Sequence, residues 1–195
     1  MSQPPRRHPV RNPMRDVLQG ILRTTRGRAD GIKCFGGSTQ SFLASLAPLI
    51  AFPLVGAGMN LADDGSHLAL SGLLAALCGL LAPPVLSYEF ARLWGRTAIW
   101  PRFATAFNWC QWALPVLAIL LMIPLSFALG LGVPDRVAGV IFLLALGLYA
   151  LWLHWFLARH GLELSAMRAA LLVVVVNLGT VLAVLGPRLL NLERG

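Results

Sequence analysis

A carboxylate, an imidazole and three carboxamides lie inside otherwise apolar stretches of this chain, as Glu89, His154, Asn108, Gln111 and Asn177. Such groups are costly in a lipid-like setting and are the first places to look for chemistry. Glu89 and His154 would form a proton-responsive pair if they met. The competing reading pairs Glu89 with Arg92 or Arg96 at the membrane surface, which its shallow position favours. The amides of Asn108 and Gln111 each offer donors and an acceptor, enough to orient a small ligand. Counted at about 1.5 Å per residue, Glu89, Asn108, Gln111 and His154 fall within about 10 Å of one membrane face, a candidate polar layer or ligand site. Asn177 lies deeper, in "LVVVVNLGTVLAV", with Thr180 one turn on. That pair is expected to bridge to a neighbouring helix as packing glue, worth about 0.6–2 kcal/mol.

Indoles crowd the same level. In "FNWCQW", Asn108 and Gln111 share a helix face with Pro115, while Trp109 and Trp112 turn partly away. With Trp100, Trp152 and Trp155 they read as interfacial aromatic anchors, amides facing the bundle and indoles facing lipid. A ligand site is the alternative for this cluster. No nucleophile–base arrangement, HExxH, phosphate loop or metal-ligand spacing occurs, so no catalytic residue, metal or cofactor is expected and the chain reads as a non-enzyme. Cys34, Cys78 and Cys110 are isolated and form no disulfide or zinc pattern.

The elements that position these groups follow from hydropathy. Of 195 residues, 57% are hydrophobic and 12% charged, against a soluble norm of about 25% charged. The apolar runs are continuous rather than alternating, which excludes a barrel. Each is long enough for a hydrocarbon core of about 30 Å. The expected fold is all-α, a polytopic transmembrane bundle of five helices at about 41–62, 68–91, 104–131, 136–159 and 165–186, preceded by a short basic amphipathic helix. The third run carries Pro115 and Pro124, predicting a kink, and the fifth is expected to stop at Gly186-Pro187.

Before the first span, residues 1–13 form a basic, proline-rich arm expected to be disordered, and 14–40 an amphipathic juxtamembrane helix and linker. Residues 41–186 form the membrane domain and 187–195 a short external tail. In "MRDVLQGILRTTRGR", Met14, Val17, Leu18, Ile21 and Leu22 recur at helical spacing. That stripe suits either an anionic lipid surface, met by Arg15, Arg23, Arg26 and Arg28, or packing beneath the chain's own bundle.

Thirteen of the sixteen basic residues fall on one side of this topology; Arg136, Arg188 and Arg194 fall on the other. The positive-inside rule then puts the N-terminus in the cytoplasm and the C-terminus outside. Topology accounts for the net charge of +8, and without an aromatic–basic platform no nucleic-acid partner is expected. The partners expected are the bilayer, anionic headgroups, and a membrane protein or a second copy of the chain.

The run "WPRFATAFNWCQW", through Trp100, Arg102, Ala106, Phe107, Asn108 and Trp109, resembles small five-span inner-membrane proteins of alphaproteobacteria. The basic N-terminal segment followed by five helices is similar in plan to the Yip1-like architecture, although the Asp-Leu-Tyr-Gly-Pro signature of eukaryotic Yip1 proteins is absent. The resemblance implies a multi-pass protein of a bacterial inner membrane with a periplasmic C-terminus. The function expected first is organisation of membrane or partner proteins. The alternative is a small-molecule transporter, or a transporter subunit, using the shallow polar layer.

Overall fold

A computed structural model of the chain describes residues 13–63 and 66–192, with side chains over 13–59 and 72–185. The described residues are helical with no strand: α1 Pro13–Thr24, a 3-10 helix at Ala29–Cys34, α2 Thr39–Asp63, α3 Ser66–Leu93, α4 Trp100–Cys110, α5 Ala113–Gly130, α6 Asp135–Gly161 and α7 Ala166–Leu192. Five segments are long and apolar enough to cross a membrane: Thr39–Met59, Gly72–Leu93, Trp100–Gly130, Asp135–Gly161 and Ala166–Leu185. Helices are the economical solution for such sequences, because each satisfies its own backbone N–H and C=O groups away from water.

The third span departs from the expected single kinked helix. It is two helices, α4 and α5, interrupted at Gln111–Trp112. Pro115 supplies the reason. It has no N–H to give the Gln111 carbonyl, and its ring crowds the same carbonyl. Gln111 O is instead reached by the Leu114 N–H at 3.1 Å, in a tighter turn. Pro124, also in this span, sits within a continuous α5. The fifth span also differs: α7 runs through Gly186 and Pro187 to Leu192, so the expected stop is not taken. A proline in a helix costs a bond and some strain but does not by itself end it.

Burial is uneven along the bundle. The apolar core gathers Ile32, Phe35, Ala91, Phe103, Ala106, Cys110, Leu153, Leu157, Leu162 and Leu172 at the end carrying the 3-10 helix, while α5 buries no residue. Among the helix pairs, α3 and α7 share the most extensive contact. Its small residues permit the approach: a Cβ on Gly79 would stand 3.2 Å from Val184, and one on Gly179 would stand 2.6 Å from Leu86.

The apolar stripe of α1 is split. Val17 and Ile21 pack on the core, whereas Met14, Leu18 and Leu22 are exposed. Gly20 and Gly31 bring α1 and the 3-10 helix together, since a Cβ at Gly20 would meet the Phe35 ring at 2.8 Å. The segment also docks on the bundle: Tyr149 on α6 donates its hydroxyl proton to the Thr25 carbonyl at 3.0 Å. Packing under the bundle therefore takes one half of the stripe and leaves the other half outward.

Two of the four surface arginines are engaged internally. Arg28 grips both oxygens of Asp30, through Nε at 3.2 Å and Nη2 at 3.1 Å, and Arg23 reaches Oδ2 at 3.1 Å. The hydrogen bond from Arg28 leads in holding the Asp30 carboxyl below its ordinary value of 3.8. Arg15 is exposed on α1 and Arg26 just beyond it.

Candidate functional site

A cleft of about 370 Å³ opens between α2, α3, α4, α6 and α7, lined by the side chains of Asn108, Gln111, His154, Asn177 and Thr180 together with Gly79, Leu80 and Pro83. It continues into a tighter recess at Pro84, Ser87, Phe103 and Ala158, again beside Asn108, His154 and Asn177. No lining residue of either space carries a formal charge. Three of the four residues expected in one polar layer are thus brought together.

Each polar group is held by a definable contact. α4 carries Asn108 inward, where it is only 3% exposed. Ser45 on α2 gives its single hydroxyl proton to the Phe42 carbonyl at 2.6 Å. Its oxygen can then only accept, so the 2.9 Å contact is donated by Asn108 Nδ2. That fixes the amide: Oδ1 is the atom left over. Gln111, at the α4–α5 break, meets His154 through Nε2 to Nε2 at 3.1 Å. With the amide donating, the imidazole is neutral and carries its proton on Nδ1. His154 also lies against the Phe107 ring, centroids 4.8 Å apart.

Asn177 and Thr180 do not bridge helices as expected. Asn177 Nδ2 donates to the Val173 carbonyl at 2.8 Å, and Thr180 Oγ1 to the Val176 carbonyl at 2.7 Å, both on their own helix. The preceding turn of α7 offers acceptors nearer than any neighbouring helix does. Asn177 is instead a wall of the same cleft as Asn108, with its Oδ1 likewise left as an acceptor.

Glu89 stands apart. It lines neither space and pairs with Arg92 at 2.6 Å, both side chains well exposed. The pairing with His154 is therefore not formed, and the surface pairing is. One turn along α3, Pro83 and Pro84 lack the N–H groups that would reach the carbonyls of Gly79 and Leu80. Gly79 and Leu80 line the cleft, and neither they nor Ser45 was singled out as a site from sequence. The signals were present, a hydroxyl within "SFLASL" and the double proline itself, but nothing local tells which helices will face each other.

Trp100, Trp112 and Trp155 each join two helices. Trp100 donates Nε1–H to Ser87 Oγ at 3.1 Å and meets Phe42 and Tyr88 edge-on, each at 5.0 Å. Trp155 donates to the Ala166 carbonyl at 3.1 Å, with Arg159 5.2 Å above its ring. Trp152 stacks on Phe156 at 5.5 Å. Trp112 packs on Phe52 at 5.1 Å, its N–H buried without an acceptor. An interfacial anchor keeps that N–H wet, so the expected lipid-facing role does not hold for Trp112. Trp109 is half-buried and lines a separate cleft near α1.

Among the described residues no group of three His, Cys, Asp or Glu side chains is placed to hold a metal. The fold and site define an all-α, multi-pass membrane protein with an uncharged polar cleft inside its helical bundle. No protein-family model matches the chain, and no curated protein or solved structure is significantly similar to it. The resemblance to five-span inner-membrane proteins accordingly rests on the residues from Trp100 to Trp109 and on the helix plan.

Proposed function

We propose that this protein binds a small hydrogen-bond-donating solute in its intramembrane cleft and acts as a transporter or transporter subunit. The observation that carries this reading is the convergence of the uncharged side chains of Asn108, Gln111, His154 and Asn177 on one cleft, with amide oxygens left to accept. Asn108 Oδ1 and Asn177 Oδ1 are left as acceptors, each amide having committed one of its two N–H groups. The carbonyls of Gly79 and Leu80 are released by the double proline. Acceptors in an uncharged, apolar surround favour a solute that donates hydrogen bonds, neutral or a small organic monocation, and an isolated anion is costly to desolvate there.

Thermal unfolding in mild detergent tests it. Ethanolamine and urea serve as donor-bearing probes, with tetramethylammonium as a cation without donors and acetate as the anionic control. A donor-bearing probe is expected to raise Tm in the wild type and in Glu89→Gln, but not in Asn108→Leu or Asn177→Leu. A shift retained in both leucine variants, or obtained only with acetate, refutes the assignment.

The organising role, Yip1-like in plan, is favoured by a different observation: Met14, Leu18 and Leu22 form an exposed apolar row on a docked helix. Such a row suits a membrane surface or a partner helix. In this reading the protein sits in a bacterial inner membrane with its basic end cytoplasmic and its C-terminus periplasmic. The charge asymmetry supports that orientation. Reporter fusions at both termini test it: opposite compartments are expected, and a shared compartment rejects it.

A further inference from the structure

A second cleft, of about 580 Å³, lies between α1, the 3-10 helix, the start of α2 and α4. Lys33 and Arg102 both line it, together with Ser41, Thr105 and Trp109. Neither cation has an ion pair or hydrogen bond among the described residues, whereas Arg23, Arg28, Arg92 and Arg96 are all paired with carboxylates. Asp16 also lines the cleft, so two cations face one carboxylate. The Arg102 side chain lies across the Gly36-Gly37 turn so closely that a Cβ at Gly37 would stand 3.3 Å from Nη2. Glycine there leaves the planar fork room beside the backbone.

We propose that this cleft holds the phosphodiester of an anionic glycerophospholipid. A guanidinium fork and an ammonium converging from two elements suit phosphate oxygens, the fork binding two of them side by side. The position agrees. α2 begins at Thr39 and α4 at Trp100, so the cleft lies where the first and third spans enter the membrane. Its remaining wall includes Val17, Phe35 and Ala44, an apolar flank that a glycerol backbone and acyl chain can cover and that a free phosphate cannot use. Of the exposed row of α1 only Met14 reaches this cleft, Leu18 and Leu22 lying outside it, and the site does not depend on the solute cleft.

Full-length protein in mild detergent is titrated with dioleoylphosphatidylglycerol, dioleoylphosphatidylcholine and sn-glycerol 1-phosphate, with Tm and native mass spectrometry as readouts. Saturable stabilisation and a retained adduct are expected with phosphatidylglycerol alone. Apparent affinity should fall by about tenfold or more in Lys33→Gln/Arg102→Gln, since each basic residue contributes substantially to an anionic headgroup. Arg15→Gln/Arg26→Gln should keep the wild-type titration. An unchanged titration in the Lys33→Gln/Arg102→Gln protein, equal response to phosphatidylcholine, or equal stabilisation by glycerol phosphate overturns the proposal. If that double variant does not fold, Gly37→Ala is read in its place: it crowds the guanidinium, and an unaltered phosphatidylglycerol titration then decides against the site.

Discussion

Gln111 and His154 lie 43 positions apart and are joined by a 3.1 Å hydrogen bond that ties the α4–α5 break to α6. The break allows this bond, because the residue at a helix interruption is freed from the regular i, i+4 ladder. Interhelical bonds of this kind contribute about 0.6–2 kcal/mol. A double-mutant cycle of Gln111→Leu and His154→Phe, read by unfolding in detergent, should return a coupling near that size. Additive losses would mean that the two side chains do not interact.

Ser45 is expected to matter more than its size suggests. Ser45→Ala strands the Asn108 Nδ2 donor in a buried position, which costs about 1–3 kcal/mol. Adding Asn108→Leu removes the stranded amide and should recover part of that loss. Equilibrium unfolding of the single and double variants checks the order.

Two glycines should differ in how much a methyl group costs. At Gly31 a Cβ meets the Thr24 backbone nitrogen at 2.8 Å, which cannot move without the helix. Gly31→Ala should therefore loosen α1 and cost about 1–3 kcal/mol. At Gly179 the obstacle is the Leu86 δ-methyl at 2.6 Å, the far end of a side chain that can rotate. Gly179→Ala should cost less than about 1 kcal/mol. Thermal unfolding and limited proteolysis near α1 distinguish the two.

The Asp30 clasp gives a pH dependence. Its carboxyl sits below the ordinary value because Arg28 hydrogen-bonds to it. A carboxyl depressed in the folded state stabilises the clasp fully above its unfolded value of about 3.9, and that contribution is lost as pH falls toward and through the folded value. Amide exchange across Arg23–Cys34, corrected for intrinsic rates, should accelerate as pH falls below about 4, with the acid-dependent increment absent in Asp30→Asn. Equal acceleration in the variant would assign the effect elsewhere.

Restoring the missing donor at the helix break is the last test. Pro115→Ala returns an N–H that can reach the Gln111 carbonyl. Amide exchange at Trp112 and Ala113 should slow as α4 and α5 join, and His154 should lose its amide partner as Gln111 rotates. Unchanged exchange there would show that the interruption is held by packing and not by the proline.

The spans were legible because hydropathy is a local property: each long apolar run became one span, and the ends at Asp63, Leu93 and Gly161 fall within a few residues of expectation. The break at Gln111–Trp112 was only half legible. Pro115 announced a kink, but its effect falls on the carbonyl four residues earlier, where the hydropathy does not change. Asn177 was placed too far from the other amides, since counting residues along one helix ignores where its neighbours stand. The convergence of Asn108, Gln111, His154 and Asn177 depends on which helices are adjacent, and α3 against α7 is a long-range choice that no local window contains. The partners of the indoles were illegible for a related reason: Trp100 and Trp112 look alike in sequence, and only the bundle shows that one meets Ser87 and the other Phe52.

The bareness of α5, which has no fully buried residue, sets how freely its letters can drift. Leucine, isoleucine, valine and phenylalanine are close to interchangeable to a lipid tail, so exchanges among them from Val116 to Phe127 should pass almost unnoticed. Around Ala106, Cys110 and Leu157, each without measurable exposure, a single added methyl has nowhere to go. A saturation library should accordingly separate into a tolerant greasy half and an intolerant half around the clefts, with the dividing line running through Trp112.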